Sequence, residues 1–392
     1  MINNPSFNKI STTEKLLLGP GPSNIHPETS LAMAKPILGH LDPDFLKIMD
    51  ENQEMLRYVF QTKNKLTLPV SATGSAGMET CIVNLIDPGD KILIAINGVF
   101  GNRMKDVATR VGAEVHIIEK PWGEVFSYEE LEDALSKIKP KVLGIVHAET
   151  STGASQPLEK LGKIAHKYNS LLLVDCVTSL GGSKLLIDEW EIDAAYSGTQ
   201  KCLSCPPGLS PVTFSQRAEK VIDVKKTKVQ SWYLDLSMVK SYFGNERVYH
   251  HTAPINMNYA LHESLRQVCE EGLVKRWERH ILSHKSLKAG LESMNIKFVV
   301  DDAYRLPQLN TVFIPEKIND GNVRKRLLEI HKIEMGGGLG IFKGKAWRIG
   351  LMGHSAYPHN VYRFLVALKD CLIQEGMKID VDPVYFASKS VS

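Results

Sequence analysis

Two apolar runs near the middle of the chain each deliver a reactive side chain. Leu171-Leu172-Leu173-Val174 reads as a short buried strand ending at Asp175, and Ile192-Asp193-Ala194-Ala195-Tyr196 reads as a second strand leading into Ser197-Gly198-Thr199-Gln200-Lys201. In open α/β sheets, ligands bind in the crevice beyond the carboxyl ends of the strands, so this acid and this amine would face one pocket. For an isolated aspartate or lysine, a turn cap or a solvated charge is the ordinary explanation. Here the glycine and short side chains before Lys201, and the strand-end placement of both residues, favour a shared site. Pyridoxal phosphate needs such a pair. Its aldehyde forms a Schiff base with a lysine, and an acid opposite the pyridine nitrogen keeps that nitrogen protonated.

Other stretches would complete the pocket. Thr73, Gly74 and Ser75, inside Ser71–Glu79, open an apolar helix, where free N–H groups and the helix dipole favour an anion such as the cofactor phosphate. An ordinary capped helix start accounts for that stretch equally well. Phe100 follows the strand end at Ala95–Val99 and is placed to stack on a pyridine ring, the alternative being a plain core aromatic. The hydroxyls of Thr150, Ser151 and Thr152, between His147 and Gly153, suit contact with a ring oxygen or with substrate, although a Ser/Thr turn needs no such role. Arg348 lies in the apolar run Ala346–Leu351, and a buried guanidinium needs an anion; a substrate carboxylate or an interdomain salt bridge would serve.

Two patterns are set aside. Adjacent histidines in Tyr249-His250-His251-Thr252 face apart on a regular element and lack a third ligand at a known spacing, so no metal is expected. Cys202-Leu203-Ser204-Cys205 spells C-x-x-C, but no second ligand pair accompanies it and it does not open a helix after a first strand, so it is read as chance.

The elements that would position these residues alternate. Lys91–Ile96, Glu114–Ile118, Lys141–His147 and Leu171–Val174 read as strands, with helices at Gly101–Val111, Ser127–Ile138 and Pro157–Tyr168 between them. The expected fold class is therefore α/β, a mainly parallel, doubly wound sheet with helices on both faces. Residues 16–27, rich in glycine and proline, read as a structured loop. Past Phe214 the alternation stops. Long helical patterning over Tyr259–Met294, broken near Gly272, leads to strands at Lys297–Val300, Leu309–Ile314 and Ala346–Leu351 and helices at Asn322–His331 and Pro358–Gln374. The expected division is an extension over 1–15, a large cofactor domain over 16–275 and a small α+β domain over 276–392.

Bulk properties agree with that plan. The chain has 392 residues, beyond the size at which one core stops growing. It is 43% hydrophobic and 23% charged, with a formal charge of +3 and no apolar run long enough to span a membrane. Basic clusters such as Lys225-Lys226-Thr227-Lys228 and Arg324-Lys325-Arg326 are short and read as solvated faces, so neither nucleic acid nor membrane is an expected partner. Six cysteines in so long a chain point to a reducing compartment. The polar stretch Met1–Lys15 resembles no leader and the chain does not end in S-K-L, which makes the cytosol the default.

With these pieces in order, the chain resembles the alanine-glyoxylate (serine-pyruvate) aminotransferases, class V members of the fold type I pyridoxal-phosphate enzymes. The likeness covers nearly the whole length. It rests on Leu18–Asn24, Val59–Thr62, Asn97-Gly98, Ser151–Gly153, Val174-Asp175, Ser179–Gly182, Tyr196–Lys201, Tyr249–Thr252, Gly337–Gly340 and Arg348–Leu351. It implies Lys201 as the Schiff-base lysine and proton shuttle, and Asp175 as partner of the pyridinium. It places Val177 and Phe100 on opposite ring faces, Thr150 near the ring hydroxyl, and Arg348 on the α-carboxylate. Thr73, Gly74, Ser75 and Gln200 would hold the phosphate, joined by Tyr249 and Thr252 from the neighbouring subunit of a homodimer. Gly39, in Leu38–Pro43, would border the substrate.

The implied reaction moves the amino group of alanine or serine to glyoxylate by a ping-pong route, forming glycine. The chain departs from the family where Phe100 replaces a frequent tryptophan, Ser75 a histidine, and Cys202 to Cys205 small residues. The resemblance leaves open a 3-hydroxykynurenine, 2-aminoethylphosphonate or ureidoglycine aminotransferase, and a peroxisomal or mitochondrial location. A desulfurase would need a cysteine on a loop over the pocket, and an inactive interaction protein would lack the cofactor's visible absorbance.

Overall fold

The computed structural model describes residues 4–391. A seven-stranded sheet runs in the order 66–70, 210–214, 194–196, 171–175, 142–146, 91–96, 114–119. All strands are parallel except Ser210–Phe214, which pairs antiparallel with both neighbours. Because successive strand residues face opposite sides, Leu171 and Leu173 enter one apolar core while Leu172 and Val174 enter another. Runs apolar at every position are what a sheet covered on both faces requires. The α/β expectation holds. Ser210–Phe214 lies outside the expected strands, since a proline and two hydroxyl residues interrupt its apolar run.

Several helices begin where short polar side chains satisfy free N–H groups. Ser127 and Glu130 form a reciprocal capping box at Tyr128–Ile138, and Asp42 caps Pro43–Phe60 through the N–H of Asp44. Helix Gly74–Leu85 lacks such a cap: its N-cap, Thr73, makes no side-chain cap bond.

A second, four-stranded sheet has the order 16–18, 333–337, 346–350, 309–313. Leu16–Leu18 corrects the loop expected over 16–27. It pairs in parallel with Ile333–Met335, and Leu16 and Leu18 belong to the core of the second sheet. The helix Leu273–Ser293, which follows Gly272 at a positive φ of 80°, is also packed there, against Pro358–Gln374 and Pro383–Lys389. The expected strand Lys297–Val300 reduces to a single bridge between Phe298 and Val312. Phe364 is fully buried in this second core. Phe364→Ala is expected to lower the unfolding free energy by about 3–5 kcal/mol, measured by urea denaturation.

Candidate active site

The parallel strands bring their carboxyl ends to one edge. Asp175 ends Leu171–Asp175, and the turn after Ala194–Tyr196 carries Gln200 and Lys201. Lys201 is 8% exposed, and its Nζ donates a short hydrogen bond to the Pro20 carbonyl, 181 residues away in sequence. Its main chain is pinned as well: Ser23 Oγ donates to Lys201 O at 2.7 Å, and Ser23 N–H donates to Gln200 O at 2.9 Å. Gly21, at φ of 109°, lets the backbone pass the amine, because a Cβ there would lie 2.7 Å from Nζ. Burial pulls the Lys201 ammonium down to about 8, and the nearby Arg348 charge acts in the same direction.

Asp175 is 2% exposed. Its Oδ2 accepts from Tyr196 Oη at 2.7 Å and its Oδ1 from Val177 N–H at 2.9 Å. Burial lifts the carboxyl to about 6, while those two hydrogen bonds and the charges of Lys201 and Arg103 pull it back. Tyr196 is therefore part of the site, although in sequence it reads only as the last residue of an apolar strand. Tyr196→Phe removes one donor to the anion and is expected to lower kcat about threefold to tenfold while leaving the fold intact; equal kcat in both proteins would deny the tyrosine a part.

Arg348 comes from strand Ala346–Gly350 of the second sheet. Its Nε donates to Gly337 O at 2.8 Å and its Nη1 to Thr150 O at 3.2 Å. Among the described residues it has no carboxylate partner within salt-bridge distance. Burial lowers it to about 10, opposed by the charge of Glu149. The interdomain salt bridge weighed on sequence is absent among the described residues, and a buried guanidinium held by two carbonyls keeps its capacity for an external carboxylate. Thr150 Oγ1 lies 2.5 Å from Thr178 Oγ1, and Phe100 and Val177 are each half-buried. Glu149, wholly buried, was missed by the sequence reading. It accepts from Phe100 N–H and from both the N–H and hydroxyl of Ser151.

The anion end is open. Thr73 and Ser75 are exposed at the uncapped helix start, and Gly74 packs so closely that a Cβ would lie 3.3 Å from Gly198 Cα. Gln200 Oε1 is buried with no hydrogen-bond partner. Free N–H groups at an uncapped helix start, a buried acid and a buried amine fit a cofactor with a phosphate, a ring nitrogen and an aldehyde.

Three expected site residues stand apart. Tyr249 is 55% exposed and Thr252 is exposed, their hydroxyls 3.4 Å from each other. Gly39 is exposed between two helices. No contact among the described residues joins these three to Lys201, Asp175 or Arg348 within the chain. The two histidines beside Tyr249 also correct an expectation, for they do not face apart. Their Nδ1 atoms are 2.8 Å from each other, because the segment is irregular, and His251 Nε2 reaches Ser71 Oγ at 2.7 Å. Cys202 and Cys205 are buried free thiols, each pushed up to about 12 by burial.

Comparison with known proteins shows the family. The model of the family described as aminotransferase class-V matches residues 29–341. Alanine–glyoxylate aminotransferase of Mus musculus is 41% identical over 93% of this chain and 89% of its own. (S)-Ureidoglycine–glyoxylate transaminase of Bacillus subtilis is 38% identical over 98% of this chain and 96% of its own. A solved alanine–glyoxylate aminotransferase from Nostoc sp. superposes with a TM-score of 0.93 at 50% identity, covering 94% of this chain and 98% of that one. The chain belongs to the class V aminotransferases. It is a pyridoxal-phosphate-dependent transaminase acting on amino and oxo acids. No helix among the described residues is long and apolar enough to cross a membrane.

Proposed function

We propose that the protein transfers the amino group of alanine, or of serine, to glyoxylate, giving pyruvate or hydroxypyruvate and glycine. The observation that carries the amino-acid part is Arg348: a buried guanidinium beside Lys201, bonded to two carbonyls and, among the described residues, to no carboxylate. The choice of alanine and glyoxylate rests on the activity for which the Nostoc and mouse relatives are named. Ureidoglycine as donor is the second reading, favoured by the Bacillus relative at nearly the same identity.

When bound, pyridoxal phosphate supplies an aldehyde that takes up amino groups and a protonated ring that acidifies the α-carbon. Lys201 is its attachment point. Lys201 Nζ would also be the base that takes the proton from the substrate α-carbon and returns it on the other side of the transfer. An amine brought down to about 8 is partly neutral near physiological pH, as a base must be. Asp175 keeps the ring nitrogen protonated, with its anion held in place by Tyr196 and Val177. Thr73, Gly74, Ser75 and Gln200 would hold the phosphate, Phe100 and Val177 would flank the ring, and Thr150 would stand by the ring hydroxyl. Arg348 fixes the α-carboxylate and so selects which substrate bond faces Lys201. Tyr249 and Thr252 complete the phosphate site of a second subunit, a role supported by their exposure on their own chain. Gly39 lies near the entrance of that shared site.

A donor-by-acceptor panel tests the substrate reading. Alanine with glyoxylate is expected to give the highest kcat/KM, ahead of 3-hydroxykynurenine, 2-aminoethylphosphonate and ureidoglycine. A preference for ureidoglycine of about tenfold or more would replace it.

A further inference from the structure

Glu149 is a buried carboxylate that the proposed reaction does not use. It is 0% exposed and makes no ion pair among the described residues, a costly state unless its hydrogen bonds serve a purpose. Its Oε2 accepts from Phe100 N–H at 3.2 Å, and its Oε1 from Ser151 N–H at 3.0 Å and Ser151 Oγ at 2.5 Å. Ser151 Oγ in turn accepts from Val99 N–H at 3.0 Å. The helix Val99–Arg110 starts at Gly98, which offers no side chain as a cap, so Glu149 and Ser151 cap it from another strand end. This approach demands a glycine: a Cβ on Gly98 would lie 2.3 Å from Glu149 Cδ and 2.5 Å from Ser151 Oγ.

The same residue is next in the chain to a contact of the substrate clamp. The peptide carbonyl of Thr150, the next residue, accepts from Arg348 Nη1 at 3.2 Å, and the Glu149 charge acts on that guanidinium. Asp175 is the other carboxylate whose charge reaches Glu149. A substrate carboxylate seated on Arg348 would therefore share one buried cation with an internal anion.

We propose that Glu149 is a positioning residue with two separable effects: its hydrogen bonds fix Phe100 for the cofactor, and its charge loosens the grip of Arg348 on the substrate carboxylate. The inference rests on the reading of Phe100 and Arg348 given above. A ping-pong transaminase must release one carboxylate before it takes the next, and a clamp that binds substrate and product equally tightly gains nothing in turnover.

The two effects have opposite signs in Glu149→Gln, and a merely structural carboxylate would not produce that split. Binding is measured at pH 8.5, above the value of about 7 to which burial raises Glu149, so that the wild-type group is ionised. Cofactor affinity of the apoprotein is read by visible absorbance, and affinity of the cofactor-saturated protein for propionate by calorimetry. The amide cannot satisfy both Phe100 N–H and Ser151, so cofactor affinity is expected to fall about threefold to tenfold. Propionate, freed from a neighbouring negative charge, is expected to bind on the order of tenfold more tightly. Ser151→Ala, which keeps the charge, is expected to weaken the cofactor alone. Propionate bound no more tightly by Glu149→Gln, or markedly more tightly by Ser151→Ala, overturns the proposal. Arg348→Gln separates the two readings. If propionate binding survives that change, the clamp itself fails and the role of Glu149 goes with it; if it is lost while Glu149→Gln leaves propionate affinity unchanged, only Glu149 is misassigned.

Discussion

Lys201→Ala is expected to abolish transamination and, with it, the visible absorbance of the bound cofactor, while far-UV circular dichroism stays that of the parent. The expected loss in kcat is on the order of 10⁴-fold or more, since the same side chain serves as attachment point and as base. The fold should survive because the pocket holds this residue by its main chain, through Ser23, and the side chain contributes a single hydrogen bond to the Pro20 carbonyl. The wild-type amine also sets a pH signature. Its value is about 8 in the folded apoprotein against an ordinary 10.5, so the unfolded chain binds more protons between these values. The stability penalty is full below pH 8 and is relieved as pH rises toward 10.5. Attachment of the cofactor, which needs the neutral amine, should accelerate through pH 8 and level off above it. Continued acceleration up to about pH 10, the range of an ordinary lysine, or turnover retained by the alanine variant, would remove Lys201 from its place.

What the sequence disclosed depends on how local each signal is. Leu171–Asp175 and Ala194–Tyr196 were legible because a strand buried on both faces must be apolar throughout, and a polar residue at its carboxyl end then stands out. Arg348 was legible for the same reason, as a cation inside Ala346–Gly350. Glu149 was not, because a glutamate beside three hydroxyl residues looks like any solvated turn, and only the approach of Gly98 shows that it is buried. Tyr196 passed as strand filler, since its hydroxyl acquires meaning from Asp175, 21 residues earlier. Leu16–Leu18 was hidden by the Gly-Pro-Gly-Pro run after it and by a partner strand at Ile333–Met335, more than three hundred positions away. Residues that find their partners by chain crossing leave little local pattern. Tyr249, Thr252 and Gly39, which touch none of the core site residues of their own chain, rest on resemblance and on the proposed dimer alone.

Asp175→Asn is expected to move activity and stability in opposite directions. The anion facing the ring nitrogen is lost, and turnover should fall by about 10³-fold, the scale on which removing one preorganised electrostatic partner acts. Stability follows a different term. Burial raises the Asp175 carboxyl from 3.8 to about 6 in the apoprotein, so between those values the folded state holds a proton that the unfolded chain has released. Stability therefore drops as pH rises through that window, and the penalty is complete above pH 6. A shift of roughly two units corresponds to at most about 3 kcal/mol. Asparagine carries no charge to desolvate. Its carbonyl still accepts from Val177 N–H, and the Tyr196 hydroxyl can turn to accept from the new amide, at a cost of about 1 kcal/mol for its own unpartnered proton. The apoprotein should thus gain about 1–2 kcal/mol at pH 8, and the gain should vanish toward about pH 3, below both values, where the wild-type group is protonated in both states. Urea unfolding of both apoproteins at the two pH values reads this directly. An asparagine variant less stable than the parent at pH 8 would mean that Tyr196, Val177 and the Lys201 charge already compensate the buried carboxylate, and that the site pays no stability for its acid.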